Sequence, residues 1–195
     1  MAAIRSHLIV IAGPNGAGKT TTAPSLLKDL LGVTEFVNAD LIAQGLSAFR
    51  SESVAFQAGR IMLQRLRQLA EKHSNFAFET TLATRSYAPW LSDLRAQNYA
   101  VHLIFLWLPD PAMAIARVAE RVRLGGHNVP EMVVRRRYDR GIRNFFQLYQ
   151  TIVDQWWFYD NSHPESPVRI ASGRLGMEAD IVDQQTWNNL MEQYR

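Results

Sequence analysis

An apolar run, Leu8 to Ile11, feeds directly into Gly13, Pro14, Asn15, Gly16, Ala17, Gly18, Lys19 and Thr20, a complete GxxxxGKT segment. No other feature constrains the fold so strongly, because such a segment works only between a strand and a helix. Its glycines let the backbone turn tightly, so that successive N–H groups and the N-terminus of the next helix converge on anionic oxygens. Lys19 is then expected to reach the β- and γ-phosphates of a nucleotide, and the Thr20 hydroxyl to hold Mg2+, with Thr21 beginning the helix behind them. The motif predicts ATP or GTP as ligand. By itself it leaves the fate of the γ-phosphate open.

The rest of the chain alternates strand and helix signals. Thr21 to Leu31 reads as a helix ending at Gly32, with Pro24 tolerated in its early turns. Glu35 to Val37 is expected as a second strand that delivers Asn38 and Asp40 to its carboxyl end. Apolar residues at 54, 55, 58, 61, 62, 66 and 69 fit a long amphipathic helix. Phe76 to Phe78 reads as a third strand running into Glu79, Thr80 and Thr81, and Pro89 to Asn98 as a helix. Ala100 to Leu108 is almost wholly apolar, as a strand buried on both faces of a parallel sheet is. Asp110 can cap the next helix with Pro111 at its first position. Asn128 to Glu131 resembles a capping box for a further basic helix. Trp156 to Tyr159 and Val168 to Ile170 are expected strands, and residues 181–195 a terminal helix. The expected fold is α/β, a P-loop three-layer sandwich with a mostly parallel sheet, formed as one domain over residues 1–195 with a helical lid at about 111–140.

Composition narrows the function classes. With no cysteine, disulfides and thiolate metal sites are excluded, and the five histidines have no metal-ligand spacing. No run of about 18 uncharged apolar residues occurs, and the first apolar run belongs to the phosphate loop, so a cytoplasmic protein without a membrane span is expected. The 21 basic residues comprise 18 arginines and only Lys19, Lys28 and Lys72. Arginine suits bidentate phosphate contacts. Eight arginines fall between Arg117 and Arg143. A nucleic-acid groove or a lid over a triphosphate would each explain that cluster; its first half lacks interleaved aromatics and ends in a glycine pair, which favours the lid.

In an open α/β sheet the ligand crevice lies outside the carboxyl ends of the strands, where Asp40 and Glu79 fall. Asp40 is expected to take a proton from a substrate hydroxyl or to contact Mg2+, while also capping the helix that begins near Leu41. Glu79 suits two sugar hydroxyls or the metal shell, with a structural salt bridge as the plainer reading. The best buried strand does not end in the acidic residue of a motor ATPase, which favours a small-molecule kinase. Arg117, Arg121, Arg136 and Arg137 are the lid candidates for the transferring phosphoryl group, against the plainer reading of a solvated helix face. His127, beside the glycine pair, is a weaker lid candidate.

Together these pieces resemble the zeta toxin family of bacterial P-loop kinases. The resemblance rests on Gly13 to Thr21, Asn38 to Asp40, Phe76 to Thr81, Arg117 to Pro130 with its Gly-Gly-His-Asn-Val-Pro ending, Arg136 to Tyr138, and Tyr159 to Ser162. It implies transfer of the γ-phosphate of ATP or GTP to the 3'-hydroxyl of the sugar of UDP-N-acetylglucosamine, and a small helical antitoxin as partner. It also implies Asp40 as general base, Lys19 as phosphate-binding lysine, Thr20 as Mg2+ ligand, and Glu79 with Thr80 as holders of the sugar. Arg117 or Arg121, and Arg136 or Arg137, resemble the phosphate-clamping arginines, and Arg85 is placed to approach the substrate. Two alternatives stay open: a polynucleotide or other nucleotide kinase, in which nucleic acid would be the partner, and a nucleotide-binding interaction module without turnover.

Overall fold

The computed structural model describes residues 5–28, 33–47, 51–126, 128–163 and 165–195. The strands are β1 (Ser6–Ala12), β2 (Glu35–Val37), β3 (Phe76–Thr80), β4 (Tyr99–Trp107), β5 (Gln155–Asp160), β6 (Val168–Arg174) and β7 (Asp180–Ile181). They form one sheet in the order β2-β3-β1-β4-β5-β6-β7. The pairings from β2 to β5 are parallel, and β6 and β7 add antiparallel at one edge. The fold is therefore α/β with a mostly parallel sheet.

β1 and β4 occupy the centre because they have little polar surface to offer water. Leu8 through Ala12 and Leu103 through Leu108 are buried on both faces of the sheet, and each large apolar side chain so enclosed contributes about 1.5–3 kcal/mol. The helices are α1 (Lys19–Lys28), α2 (Ala39–Leu46), α3 (Ala55–Glu71), α4 (Tyr87–Ala96), α5 (Pro111–Arg123), α6 (Glu131–Gln147) and α7 (Gln184–Tyr194). Phe78 meets Tyr87 and Trp90 of α4, and Phe105 meets Phe145 of α6, on one face. From β1 the chain crosses through α1 towards the β2 edge, whereas from β3 it crosses through α4 in the opposite direction. Right-handed crossovers therefore put α1 on the other face. The reversal opens a crevice at the carboxyl ends of β1, β3 and β4.

Four local expectations are corrected. The first helix begins at Lys19, two residues early, and its expected end at Leu31 and Gly32 lies outside the described residues. β3 continues through Glu79 and Thr80, which therefore point from a strand rather than from a loop. Asn38, not Asp40, caps α2: its side chain accepts from the N–H groups of Asp40 and Leu41, leaving Asp40 in the first turn. No capping box forms at Asn128, because α6 starts at Glu131 itself behind Pro130, whose side chain can accept nothing; Glu131 instead pairs with Arg135 at 2.8 Å. Asp110 does cap α5, accepting from the Ala112 N–H at 2.6 Å. Among the described residues no helix is long and apolar enough to cross a membrane.

Candidate active site

The loop between β1 and α1 is fixed by contacts that tolerate no side chain. Gly13 has φ +141°, and a Cβ there would lie 2.1 Å from the Leu106 carbonyl oxygen; at Gly16, φ +79°, it would lie 2.5 Å from that of Ala114. Both positions need the left-handed freedom of glycine, and both press the loop against neighbours, β4 in one case and the first turns of α5 in the other. Asn161, just past β5, completes the clamp by donating from Nδ2 to the Ala17 carbonyl at 2.7 Å.

Lys19 stands in the first turn of α1 and is only 5 % exposed. Its Nζ donates to the Pro14 carbonyl at 2.9 Å and lies 3.5 Å from Glu79 Oε1. Burial pushes its pKa below the ordinary lysine value; the Glu79 and Asp40 carboxylates oppose that shift and Arg121 adds to it. Pro14 and Glu79 engage two of the three ammonium donors, and the third suits an oxygen of an anionic ligand.

Around Lys19 the polar groups form a chain. Thr20 Oγ1 donates to Glu79 Oε2 at 2.7 Å, and Asn38 Nδ2 donates to the same oxygen at 2.6 Å. Asp40, half exposed, faces Arg121, with 4.0 Å between Oδ2 and Nη1. The resulting cleft, about 240 Å³, is lined by Asn15, Gly16, Gly18, Lys19, Thr20 and Thr21 of the loop, by Asp40 and Glu79, and by Arg117 and Arg121 of α5. That volume lies below the roughly 300–1,000 Å³ of sites enclosing a drug-sized ligand. It matches the phosphate part of a nucleotide better than the whole of one.

The doubled arginines separate on inspection. The Arg117 guanidinium donates to the carbonyls of Asn161 and Ser162, both at 2.8 Å, so it lines the cleft as a fixed wall. Arg121, one turn on, is the member that reaches Asp40. On α6, Arg137 turns inward and donates to Asn15 Oδ1 at 3.3 Å, whereas Arg136 is exposed and does not line the cleft. Burial lowers the Arg137 pKa, with Asp40 working against that shift and Arg136 with it.

Two expected substrate residues are engaged elsewhere. The Thr80 hydroxyl accepts from the Leu82 N–H at 3.1 Å. Arg85 donates to Asn144 Oδ1 and Gln147 Oε1 of α6, both at 3.1 Å, and neither it nor Thr80 lines the cleft. His127 lies outside the described residues. Two residues not singled out from the sequence as site residues, Asn38 and Asn161, are 4 % and 8 % exposed and hold the cleft together. The available signal was position: each is an amide directly past the carboxyl end of a strand.

Residues 8–148, more than half of the chain, match the family model described as AAA domain. The chain belongs to the AAA domain family. In this AAA domain the matched span runs from β1 to just past α6, and so includes the loop, Asp40, Glu79 and the arginines of α5 and α6. An uncharacterized protein of Haemophilus influenzae is 26% identical over 135 residues, which is 69% of this chain and 94% of that protein. Among solved structures, the AvrRxo1-ORF1:AvrRxo1-ORF2 complex with sulphate ions contains a chain that superposes with a TM-score of 0.76 at 15% identity, over 96% of this AAA domain protein and 64% of that chain. The present chain thus spans somewhat less than two thirds of that neighbour. The PezAT chromosomal toxin–antitoxin system of Streptococcus pneumoniae gives a TM-score of 0.61 at 17% identity, over 100% of this chain and 80% of that one. A gluconokinase of Sinorhizobium meliloti gives 0.52 at 14% identity, over 82% and 85%. At these identities the likeness is one of fold: the AAA domain here shares the fold of chains in a toxin–antitoxin system and of a gluconokinase.

Proposed function

We propose that the protein is a zeta-toxin-like kinase that transfers the γ-phosphate of ATP or GTP to a hydroxyl of a small metabolite, with the 3'-hydroxyl of the sugar of UDP-N-acetylglucosamine as the favoured acceptor. The observation that carries this reading is the convergence of Asp40, Lys19 and Arg121 on one cleft beside the phosphate loop. A loop and lysine alone would suit a nucleotide-binding module. A half-exposed carboxylate facing the same space is what an attacking alcohol additionally needs. The AvrRxo1-ORF1:-ORF2 complex has also been solved with ATP, which supports a nucleoside triphosphate as donor.

In this reading Lys19 and Arg121 neutralise the β- and γ-phosphate oxygens, and Arg137 steadies the loop through Asn15. Asp40 accepts the proton of the acceptor hydroxyl at a carboxylate oxygen as the new O–P bond forms. The bridging oxygen of the β-phosphate keeps the electron pair of the bond that breaks, so the products are a phosphomonoester and the nucleoside diphosphate. Thr20 would hold Mg2+ with Glu79 close by, a hard oxygen pair suited to that ion, which when bound spreads the negative charge of the triphosphate. The whole chain would act as one kinase domain, with residues 111–140 as its lid. The likeness to toxin–antitoxin assemblies supports a small helical antitoxin as regulator.

The test is mass spectrometry after incubation with Mg-ATP and a panel of nucleotide sugars. A mass gain of one phosphate on one acceptor, absent with Asp40→Asn, is expected. Phosphate appearing only on the 5'-hydroxyl of an RNA oligonucleotide would replace the acceptor class, and bound ATP without any product would replace the kinase by a binding module.

A further inference from the structure

Asn38 touches more of the proposed machinery than any residue to which the sequence gave a role. Its amide oxygen accepts from the N–H of Asp40 at 2.7 Å and of Leu41 at 3.2 Å. Its amide nitrogen donates to Glu79 Oε2 at 2.6 Å and to Thr20 Oγ1 at 3.3 Å. The side chain is 4 % exposed, so water does not substitute freely for these bonds.

We propose that Asn38 is a positioning residue that locks the base-bearing turn of α2 to the metal and phosphate side of the cleft, by holding Asp40 through its oxygen and the Glu79–Thr20 pair through its nitrogen. This rests on the kinase reading of the cleft. Helix capping does not account for the residue. Serine, threonine or aspartate would cap α2 equally well, since a cap needs only an acceptor. Asparagine alone among the good caps carries two donors on the opposite side of the same plane. Aspartate would set a second carboxylate where Glu79 now receives a hydrogen bond. Glu79 in turn approaches Lys19 with its other oxygen, so both of its oxygens face the loop and α2 rather than open space. Its place is therefore on the nucleotide side, orienting Thr20 and Lys19, rather than around acceptor hydroxyls. The distance between the proton acceptor on Asp40 and the phosphate-holding groups is then set by one buried amide instead of by two independent loops.

The experiment compares wild type, Asn38→Asp, Glu79→Gln and the double variant by calorimetric titration with ADP, with and without Mg2+, and by phosphate transfer. Asn38→Asp keeps the cap but opposes two carboxylates, so Mg-ADP affinity should fall about tenfold or more, the range seen when supporting residues of metal sites are removed. Glu79→Gln should fall similarly, because an amide whose oxygen still accepts from Asn38 and Thr20 turns its –NH2 towards the Lys19 ammonium. In the double variant the new amide can donate to the new carboxylate, and affinity should return to within a few-fold of wild type. A merely structural role would lower the folded fraction in a thermal melt and leave both the affinity of the folded fraction and the rescue unmoved. Wild-type affinity for Asn38→Asp, or a double variant no better than the singles, overturns the proposal. Should wild type transfer phosphate to nothing, the kinase reading fails, while the Mg-ADP titration still decides the role of Asn38.

Discussion

The two ends of the central strands gather titratable groups in opposite ways. At the carboxyl end Lys19, Glu79, Asp40 and Arg121 surround a cleft, and the buried ammonium lies 3.5 Å from Glu79. At the amino end His7, His102, Arg5, Arg95 and Asp154 cluster as closely, but around a single carboxylate that is already engaged on both oxygens. Asp154 accepts from the Val101 N–H at 2.8 Å, lies 3.3 Å from Arg5 and 3.5 Å from Arg95. His7 Nδ1 and His102 Nε2 sit 3.1 Å apart, a bond that requires one nitrogen to be without a proton. Burial, then the neighbouring His7, pushes His102 down to about 4. Both ends hold groups shifted by burial, yet it is at the carboxyl end that they line a cleft beside the phosphate loop. A shifted group marks a candidate site where it faces a cleft that a ligand can enter.

The largest effect expected is at the carboxyl end. Asp40→Asn should lower phosphate transfer by roughly 10²- to 10⁴-fold while Mg-ADP affinity stays within a few-fold, as for loss of a general base; steady-state rates alongside a nucleotide titration check both halves. Arg137→Ala removes a charge-assisted hydrogen bond to the loop and should lower kcat by about 10- to 10²-fold, and a rate equal to wild type would take Arg137 out of the site.

Ligand-linked stability separates the ends next. At 100 times its Kd, Mg-ADP should stabilise the protein by about 2.7 kcal/mol, roughly 5–10 °C in Tm for a chain of this size. Lys19→Ala should abolish most of that shift, and His102→Gln should leave it intact. A shift lost in His102→Gln would break the contrast.

The amino end should show itself through pH. The folded-state pKa of His102 lies below its ordinary 6.5, so the folded state favours the neutral ring. Its contribution to stability is full above about 6.5 and is lost as pH falls towards 4. Urea unfolding between pH 7.5 and 4 should give a steeper decline for wild type than for His102→Gln; parallel profiles would remove the histidine pair as the cause. The smallest effect belongs to Arg136→Ala, whose exposed side chain stands away from the cleft: transfer rate and Tm should both stay near wild type, and a large loss would reverse the choice between Arg136 and Arg137.

Some of this was legible from local pattern alone. The loop needs only a strand before it and a helix after it, and β4 needs only an uninterrupted apolar run, so both could be placed within a residue or two. Asp40 was legible as a carboxylate at a strand end, though not as a first-turn residue behind the cap, because Asn38 and Asp40 are both good caps and backbone geometry chooses between them. Arg117 and Arg121 share one helix face and cannot be ranked by spacing. What ranks them is the pair of carbonyls at Asn161 and Ser162, more than 40 residues later in the chain. Arg85 illustrates the reverse: it follows a site strand in sequence, yet α6 lies beside it and supplies better partners.

The sequence by itself determined what depends on neighbours along the chain: a phosphate loop, an alternation of strands and helices, acidic residues at strand ends and a surplus of arginine nearby. Tertiary structure decided what depends on neighbours through space: which arginine faces Asp40, which faces Asn15, and that two asparagines join the pieces. The reason is physical. Backbone periodicity and turn chemistry act over a few residues, whereas a hydrogen bond to a buried amide is available only once strands distant in sequence have been brought side by side.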